Sequence, residues 1–297
     1  MSSSTVPGSA TETDGGARHL AAATPVAAGG ALAPRTAAPI EPIDPIGPGL
    51  GGRALMRQRW ADLAWLHWPV DPADVAPLLP AQVRPDVRDG VTWVGLVPFH
   101  MQGVGLVRGP AVPWLGTFPE TNVRLYSVGP DGRRGVVFRS LDASRALPVG
   151  VARLGFALPY VWSRMSVHGG SADLAAPAEE GAIVEYRTER RGRGAPRSLV
   201  RIRVGARVGG DDLDRFLTSR WGLHTRWFGT TAFAPVAHGP WPIHAAELLE
   251  LDDELVVAAG LPTPVGPPHV RFSPGVDVVV GRPRRVGPQV PPPGNSC

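Results

Sequence analysis

The sequence predicts an α+β fold that is mainly β, one mixed and largely antiparallel domain carrying a few short helices. Three observations predict it. Runs rich in Val, Leu, Trp and Phe recur along the chain, separated by turn residues. Gly 37 and Pro 34 are both high, which favours strands and turns over long helices. Helical spacing of apolar residues occurs only in short stretches.

Taken in order, Met56 to Trp68 reads as a buried strand ending at a proline. Asp71-Pro72 supplies an N-cap and a first-turn proline for a short helix through Leu79. Val91 to Met101 reads as a strand. Asn122 to Val128 alternates, turns at Gly129-Pro130-Asp131-Gly132 and resumes over Val136 to Leu141, a hairpin signature. Ala146 to Leu158 spaces Leu147, Val151, Leu154 and Leu158 as an amphipathic helix and stops at Pro159. Strands are predicted over Val161 to Val167, Ile183 to Thr188 and Leu199 to Val208. A short helix capped by Asp211 follows, then strands over Trp221 to Phe228 and Ile243 to Leu251, a helix over Asp253 to Ala259, and a last strand over Val270 to Val280.

Residues 1–52 hold few large apolar side chains and cannot offset the entropy of ordering, so they are expected to be a disordered tail. The folded domain is drawn from Arg53 to Val286, with a Pro-rich tail over 287–297. The single cysteine, Cys297, excludes an internal disulfide and a cysteine metal cluster. With no secretory pattern and no membrane-spanning apolar run, a reducing cytoplasm is expected, and no membrane partner.

Every one of the 30 basic residues is arginine; the chain contains no lysine. Codon usage in a GC-rich genome accounts for this together with the abundance of Ala, Gly and Pro. The net charge of +4 is small. A nucleic-acid binder gathers charge on one face, and the one candidate, Arg187 to Arg203, reads better as a solvated hairpin tip. No nucleic-acid partner is expected, and a homo-oligomer is compatible with the sequence.

Several segments in order resemble one family: HWPVDPADVAPLLP, WVGLVPFHMQGV, FPETNVRLY, GVVFRSLDA, LPYVWSRMSV, LTSRWGLHT, HGPWPIHAAEL and AAGLPTP. Together they resemble the YqjF-like proteins, domain of unknown function 2071, over Arg53 to Val286. That family is in turn similar to the acetoacetate decarboxylase-like superfamily, which implies a conical β-barrel around a pocket. In the decarboxylases a glutamate precedes a hairpin, and a helix after it leads to the Schiff-base lysine. Glu120 matches that glutamate, and Tyr160 and Val161 stand at the place of the lysine pair. A Schiff base needs an amine nucleophile; without lysine that mechanism is excluded here.

Glu120, Asn122 and Arg124 alternate, so a strand puts them on one face. Such a set can clamp a carboxylate through Arg124 and move a proton through Glu120; it can equally be a structural ion pair in a barrel wall. Ser140 and Asp142 on the return strand can face the same cavity, although Asp142 is better placed to cap the following helix. Tyr160 and Trp162 alternate beyond that helix, with Arg164 next, and either line a ligand wall or pack. The catalytic candidates are therefore Glu120, Arg124 and Tyr160. The ligand-binding candidates are Asn122, Ser140, Trp162, Arg164 and His100, the last because it ends an apolar strand. The histidines show no zinc spacing, and no phosphate loop or dinucleotide fingerprint is present, so no metal and no cofactor is expected. Three functions follow in order: a lysine-independent enzyme acting on a keto acid or related small anion, a non-catalytic binder of such a metabolite, and contact with an anionic polymer through Arg187 to Arg203.

Overall fold

The computed structural model describes residues 38–107, 116–145, 158–169, 178–227 and 229–287. The helix predicted from Ala146 lies outside the described residues as far as Ala157. Among them, thirteen strands form one sheet: β1 (Ala54–Val70), β2 (Arg84–Pro85), β3 (Thr92–Leu106), β4 (Phe118–Val128), β5 (Arg134–Ala143), β6 (Tyr160–His168), β7 (Ile183–Arg190), β8 (Arg197–Arg207), β9 (Gly222–Trp227), β10 (Thr230–His238), β11 (His244–Asp253), β12 (His269–Gly281) and β13 (Arg284–Arg285). The helices are α1 (Pro72–Val75), which runs on as a 3₁₀ turn over Ala76–Leu78, α2 (Asp212–Thr218) and α3 (Leu255–Ala258). The fold is mainly β, as the sequence predicts.

The sheet closes on itself twice. Pairing of β4 with β5 completes a nine-strand barrel through β6, β7, β8, β11, β12, β1 and β3. The β9–β10 hairpin then bridges β5 to β12 and makes a second ring with β1, β3 and β4. Five strands are therefore shared, each with one face toward each ring. The barrel is filled by the main hydrophobic core, in which Leu66, Leu96, Leu125, Ile202 and Phe272 are fully buried. At roughly 1.5–3 kcal/mol for each such side chain, this packing is the main source of stability.

Two irregularities let shared strands serve both rings. Asp62 has φ 47° and Gly275, across from Ala61 in the β1–β12 ladder, has φ 117°. The β1–β3 register slips at this point, which reverses the strand's facing. Met56, Gln58 and Trp60 therefore face the second ring, and so does odd-numbered Trp65 beyond the bulge. A Cβ at Gly275 would lie 2.0 Å from the Trp60 carbonyl oxygen, so glycine is required there. A second slip, at Arg139, puts Phe138 and Leu141 on the same side of β5.

The helix caps follow the sequence. The Asp71 carboxylate accepts from the Ala73 amide at 2.8 Å, and Asp211 and Asp214 form a reciprocal capping box on α2. The sequence gives no strand between Phe228 and Ile243, yet β10 lies there. Pro235 within it argues against a central strand, but the residue sits where β10 passes from pairing with β9 to pairing with β12. The described chain also begins before Arg53. The Glu41 amide donates to the Gly132 carbonyl at 2.9 Å, the Asp44 carbonyl accepts from the Trp221 indole at 3.1 Å, and Ile43 packs on the core beneath. Isolated apolar residues such as Ile43, spaced among prolines, carry no periodic signal that marks them as packed.

Candidate functional site

β4 reads Phe118-Pro119-Glu120-Thr121-Asn122-Val123-Arg124-Leu125, and its period of two divides these side chains between the rings. Val123 and Leu125 join the barrel core, and Thr121 pairs its hydroxyl with Thr188 at 2.9 Å. Phe118, Glu120, Asn122 and Arg124 line a cavity of about 380 Å³ within the second ring. That volume suits a small molecule.

The positions along β4 are fixed by register. Arg124 lies opposite Gly95, Asn122 opposite Val97, Glu120 opposite Phe99 and Phe118 opposite Met101. At the arginine end a Cβ on Gly95 would stand 2.9 Å from the His67 ring and 3.0 Å from Arg124 Cγ. Glycine there lets the two side chains pack against the strand. His67 Nε2 meets the Tyr126 hydroxyl at 2.6 Å, and burial, followed by the charge of Arg124, holds its pKa well below the usual imidazole value.

Glu120 is 3% exposed, and burial raises its carboxyl to about 8. The hydrogen bond donated by the Tyr160 hydroxyl, at 3.0 Å, and the charge of Arg124 act in the opposite direction but do not overcome burial. At neutral pH Glu120 is therefore mostly the uncharged acid. Burial also raises Tyr160 well above its ordinary value, reinforced by Glu120.

Arg124 donates through Nε to Asn122 Oδ1 at 2.9 Å, and its guanidinium lies 5.9 Å from the Phe138 ring centroid. Among the described residues no carboxylate stands within ion-pair distance of it. Burial lowers its pKa, with Tyr126 and Glu120 opposing, but a guanidinium stays protonated in the working range. Arg220, which also lines the cavity, differs. It pairs with buried Asp86, donates through Nε to the Phe216 carbonyl at 2.9 Å, and stacks on Tyr126 and Phe216.

The opposite end is aromatic. Trp60 and Trp241 stack at 6.0 Å between centroids, Trp65 meets Trp241 edge-on at 4.9 Å, and His238 lies 4.9 Å from Trp241.

Of the sequence-predicted residues, Glu120, Asn122, Arg124 and Tyr160 converge on this one cavity. Four others do not line it. His100 is on the opposite face of β3 from Phe99 and Met101, with its pKa lowered by burial. The slip at Arg139 turns Ser140 away, so its hydroxyl is buried on the barrel side. Trp162 is 44% exposed, with Arg191 stacked 3.6 Å from its ring centroid. Arg164 is exposed and meets Glu189 at 3.4 Å. Asp142 accepts from Arg190 and Ser163, all on the barrel side. Sequence reasoning missed Trp60, Trp241, His238, Arg220 and Gly95. The one local signal was a tryptophan set between prolines at Pro240-Trp241-Pro242, unusual enough in a turn to ask what the ring covers.

Four of the seven arginines from Arg187 to Arg203 meet acids: Arg187 with Glu185, Arg190 with Asp142, Arg197 with Asp252 and Arg203 with Glu247. Among the described residues no group of three or more metal-ligating side chains stands together, and no helix is long and apolar enough to cross a membrane.

Closed barrel, bridging hairpin and side cavity define an acetoacetate decarboxylase-like fold. An acetoacetate decarboxylase-like enzyme from Sphingomonas wittichii RW1 superposes with a TM-score of 0.55 at 16% identity, over 79% of this chain and 94% of that one. The enduracididine biosynthesis enzyme MppR, complexed with pyruvate, gives 0.56 at 13%, over 81% and 94%. An acetoacetate decarboxylase gives 0.54 at 10%, over 79% and 90%. The chain belongs to the DUF2071 family of uncharacterized conserved proteins, whose model matches residues 57–277. The uncharacterized protein YqjF of Bacillus subtilis (strain 168) is 29% identical over 227 residues, 76% of this chain and 90% of YqjF.

Proposed function

We propose that the protein takes up a small carbonyl-bearing anion, a keto acid or near relative, and moves a proton beside its carbonyl without using lysine. One observation carries this reading: a buried carboxyl held by Tyr160 and a guanidinium with no carboxylate at ion-pair distance among the described residues share one strand face inside one cavity. Arg124 holds the carboxylate. Glu120 in its ionised form takes the proton from the carbon next to the carbonyl. The C–H electrons become the new C=C bond, and the carbonyl oxygen becomes an enolate oxygen that accepts a hydrogen bond from Tyr160. Reversal returns the proton. The pyruvate bound by the fold neighbour MppR supports this class of ligand.

The test is proton–deuterium exchange of pyruvate in D₂O, followed by NMR on the full chain. Exchange is expected to increase as pH rises through about 8, where Glu120 ionises. Glu120→Gln is expected to abolish it while the circular dichroism spectrum is unchanged and melting stays cooperative at a temperature no lower than the parent's. Unchanged exchange in that variant removes Glu120 from the reaction. The largely apolar lining favours a second reading, a binding protein; ligand-induced stabilisation without any exchange would establish it.

A further inference from the structure

We infer that the ligand is a carboxylate carrying a bulky aromatic or branched apolar body, rather than a bare two- or three-carbon acid. This rests on the reading of the cavity as a ligand site with Arg124 as its anion anchor. The order of residues along the wall supports it. Arg124 marks one level, Asn122 and Glu120 follow along β4, and Phe118 lies beyond them opposite Met101. Met101 is in turn opposite Trp60, which stacks on Trp241. A strand advances about 3.3 Å per residue, so Arg124 and Phe118 are separated by roughly 20 Å of backbone. A carboxylate on Arg124 thus leaves its substituent running past Glu120 toward tryptophan.

Size and chemistry agree. A cavity of about 380 Å³ is several times the volume of a pyruvate-sized molecule. Filling it with a small acid would leave apolar walls facing water. The charged lining residues Glu120, Arg124 and Arg220 stand on the β4 and Arg220 side, whereas the wall around Trp60 and Trp241 is built of Trp65, Phe99, Met101 and Val236, with Gln58 and His238 as its polar members. Arg220 is less available to a carboxylate than Arg124 because its guanidinium is already engaged by the Phe216 carbonyl and by Asp86, a carboxylate it shares with Arg134. A flat ring can stack against Trp241 and Trp60 in the offset or edge-on arrangements these indoles already adopt with each other.

The experiment measures dissociation constants of the full chain by calorimetry for pyruvate, phenylpyruvate, 3-phenylpropanoate and 3-phenylpropanamide. Phenylpyruvate is expected to bind about ten- to a hundredfold more tightly than pyruvate, as burial of one phenyl group provides. The neutral amide is expected to bind at least about tenfold more weakly than its acid. Trp241→Ala should remove most of the advantage of phenylpyruvate over pyruvate. Arg124→Gln should remove the advantage of acid over amide. Pyruvate binding as tightly as phenylpyruvate overturns this inference and leaves the anion site standing. Equal affinity for acid and amide overturns it through the anchor, and binding of none of the four overturns both it and the ligand site. Phenylpyruvate binding without exchange in D₂O leaves the inference intact and removes only the proton transfer.

Discussion

The two rings share five strands and treat the same backbone in opposite ways. On the barrel side Val123 and Leu125 of β4 are packed with no exposed surface, and the buried charge there is balanced: Asp142 accepts from Arg190 at 2.8 and 3.0 Å and from Ser163 at 2.8 Å. On the cavity side of the same strand, among the described residues, Glu120 has the Tyr160 hydroxyl as its side-chain donor, and Arg124 meets an amide oxygen rather than a carboxylate. Satisfying polar groups and filling volume stabilise a fold. Leaving a cation unpaired and a space unfilled does not. The barrel side is thus the part that holds the protein together, and the cavity side carries an energetic cost that ligand binding can offset.

The largest effect expected from this contrast is on Glu120. Its carboxyl titrates near 8 in the folded chain against the usual 4.5. Between those values the unfolded chain releases this proton and the folded chain retains it, so stability falls as pH rises from about 4.5 to 8 and this contribution is flat outside that window. Glu120→Gln has no proton to lose. Urea melts of the variant and the parent should agree below about pH 4.5, and at pH 9 the variant should be the more stable by roughly 5 kcal/mol. A constant difference across pH would show that Glu120 is solvated in the folded chain.

A smaller effect separates filled from hollow packing. Leu125→Ala removes a fully buried side chain from the barrel core and is expected to cost about 3 kcal/mol. Phe138→Ala removes a larger side chain from the cavity wall, where one side already faces open space, and is expected to cost about 1 kcal/mol. Denaturant midpoints of the two variants measure the difference directly. Equal losses would mean that the second ring is as closely packed as the barrel.

The strands and hairpin were legible in the sequence because β8 alternates as a half-buried strand does and Asn122 to Tyr126 of β4 alternates polar with apolar side chains, and the site began from that second alternation in Glu120-Thr121-Asn122-Val123-Arg124. The failures also have local causes. Unbroken alternation along β5 would turn Ser140 toward the cavity, but the slip at Arg139 turns it to the barrel side, and a register slip leaves no mark in a single sequence. Trp60, His238 and Trp241 come from three distant stretches that only ring closure brings together. β10 was hidden because Pro235 is tolerated where pairing changes partners.

Arg164 gives the smallest effect and the sharpest boundary to the site. It stands on β6, four residues beyond Tyr160, so sequence spacing alone puts it beside the candidate pocket. Its guanidinium and the Glu189 carboxylate it meets at 3.4 Å are both more than half exposed. A pair of this kind is screened by water and salt and contributes little. Arg164→Ala is therefore expected to shift stability by less than about 0.5 kcal/mol. It is also expected to leave phenylpyruvate affinity unchanged, whereas Arg124→Gln weakens it. Both arginines share a sheet and a formal charge, so the contrast isolates what burial does: the cation that lines the cavity is available to a ligand, and the one in water is neutralised by its surroundings. Loss of affinity in Arg164→Ala would move the anion site out of the cavity and onto the exposed face of the β6–β7 ladder.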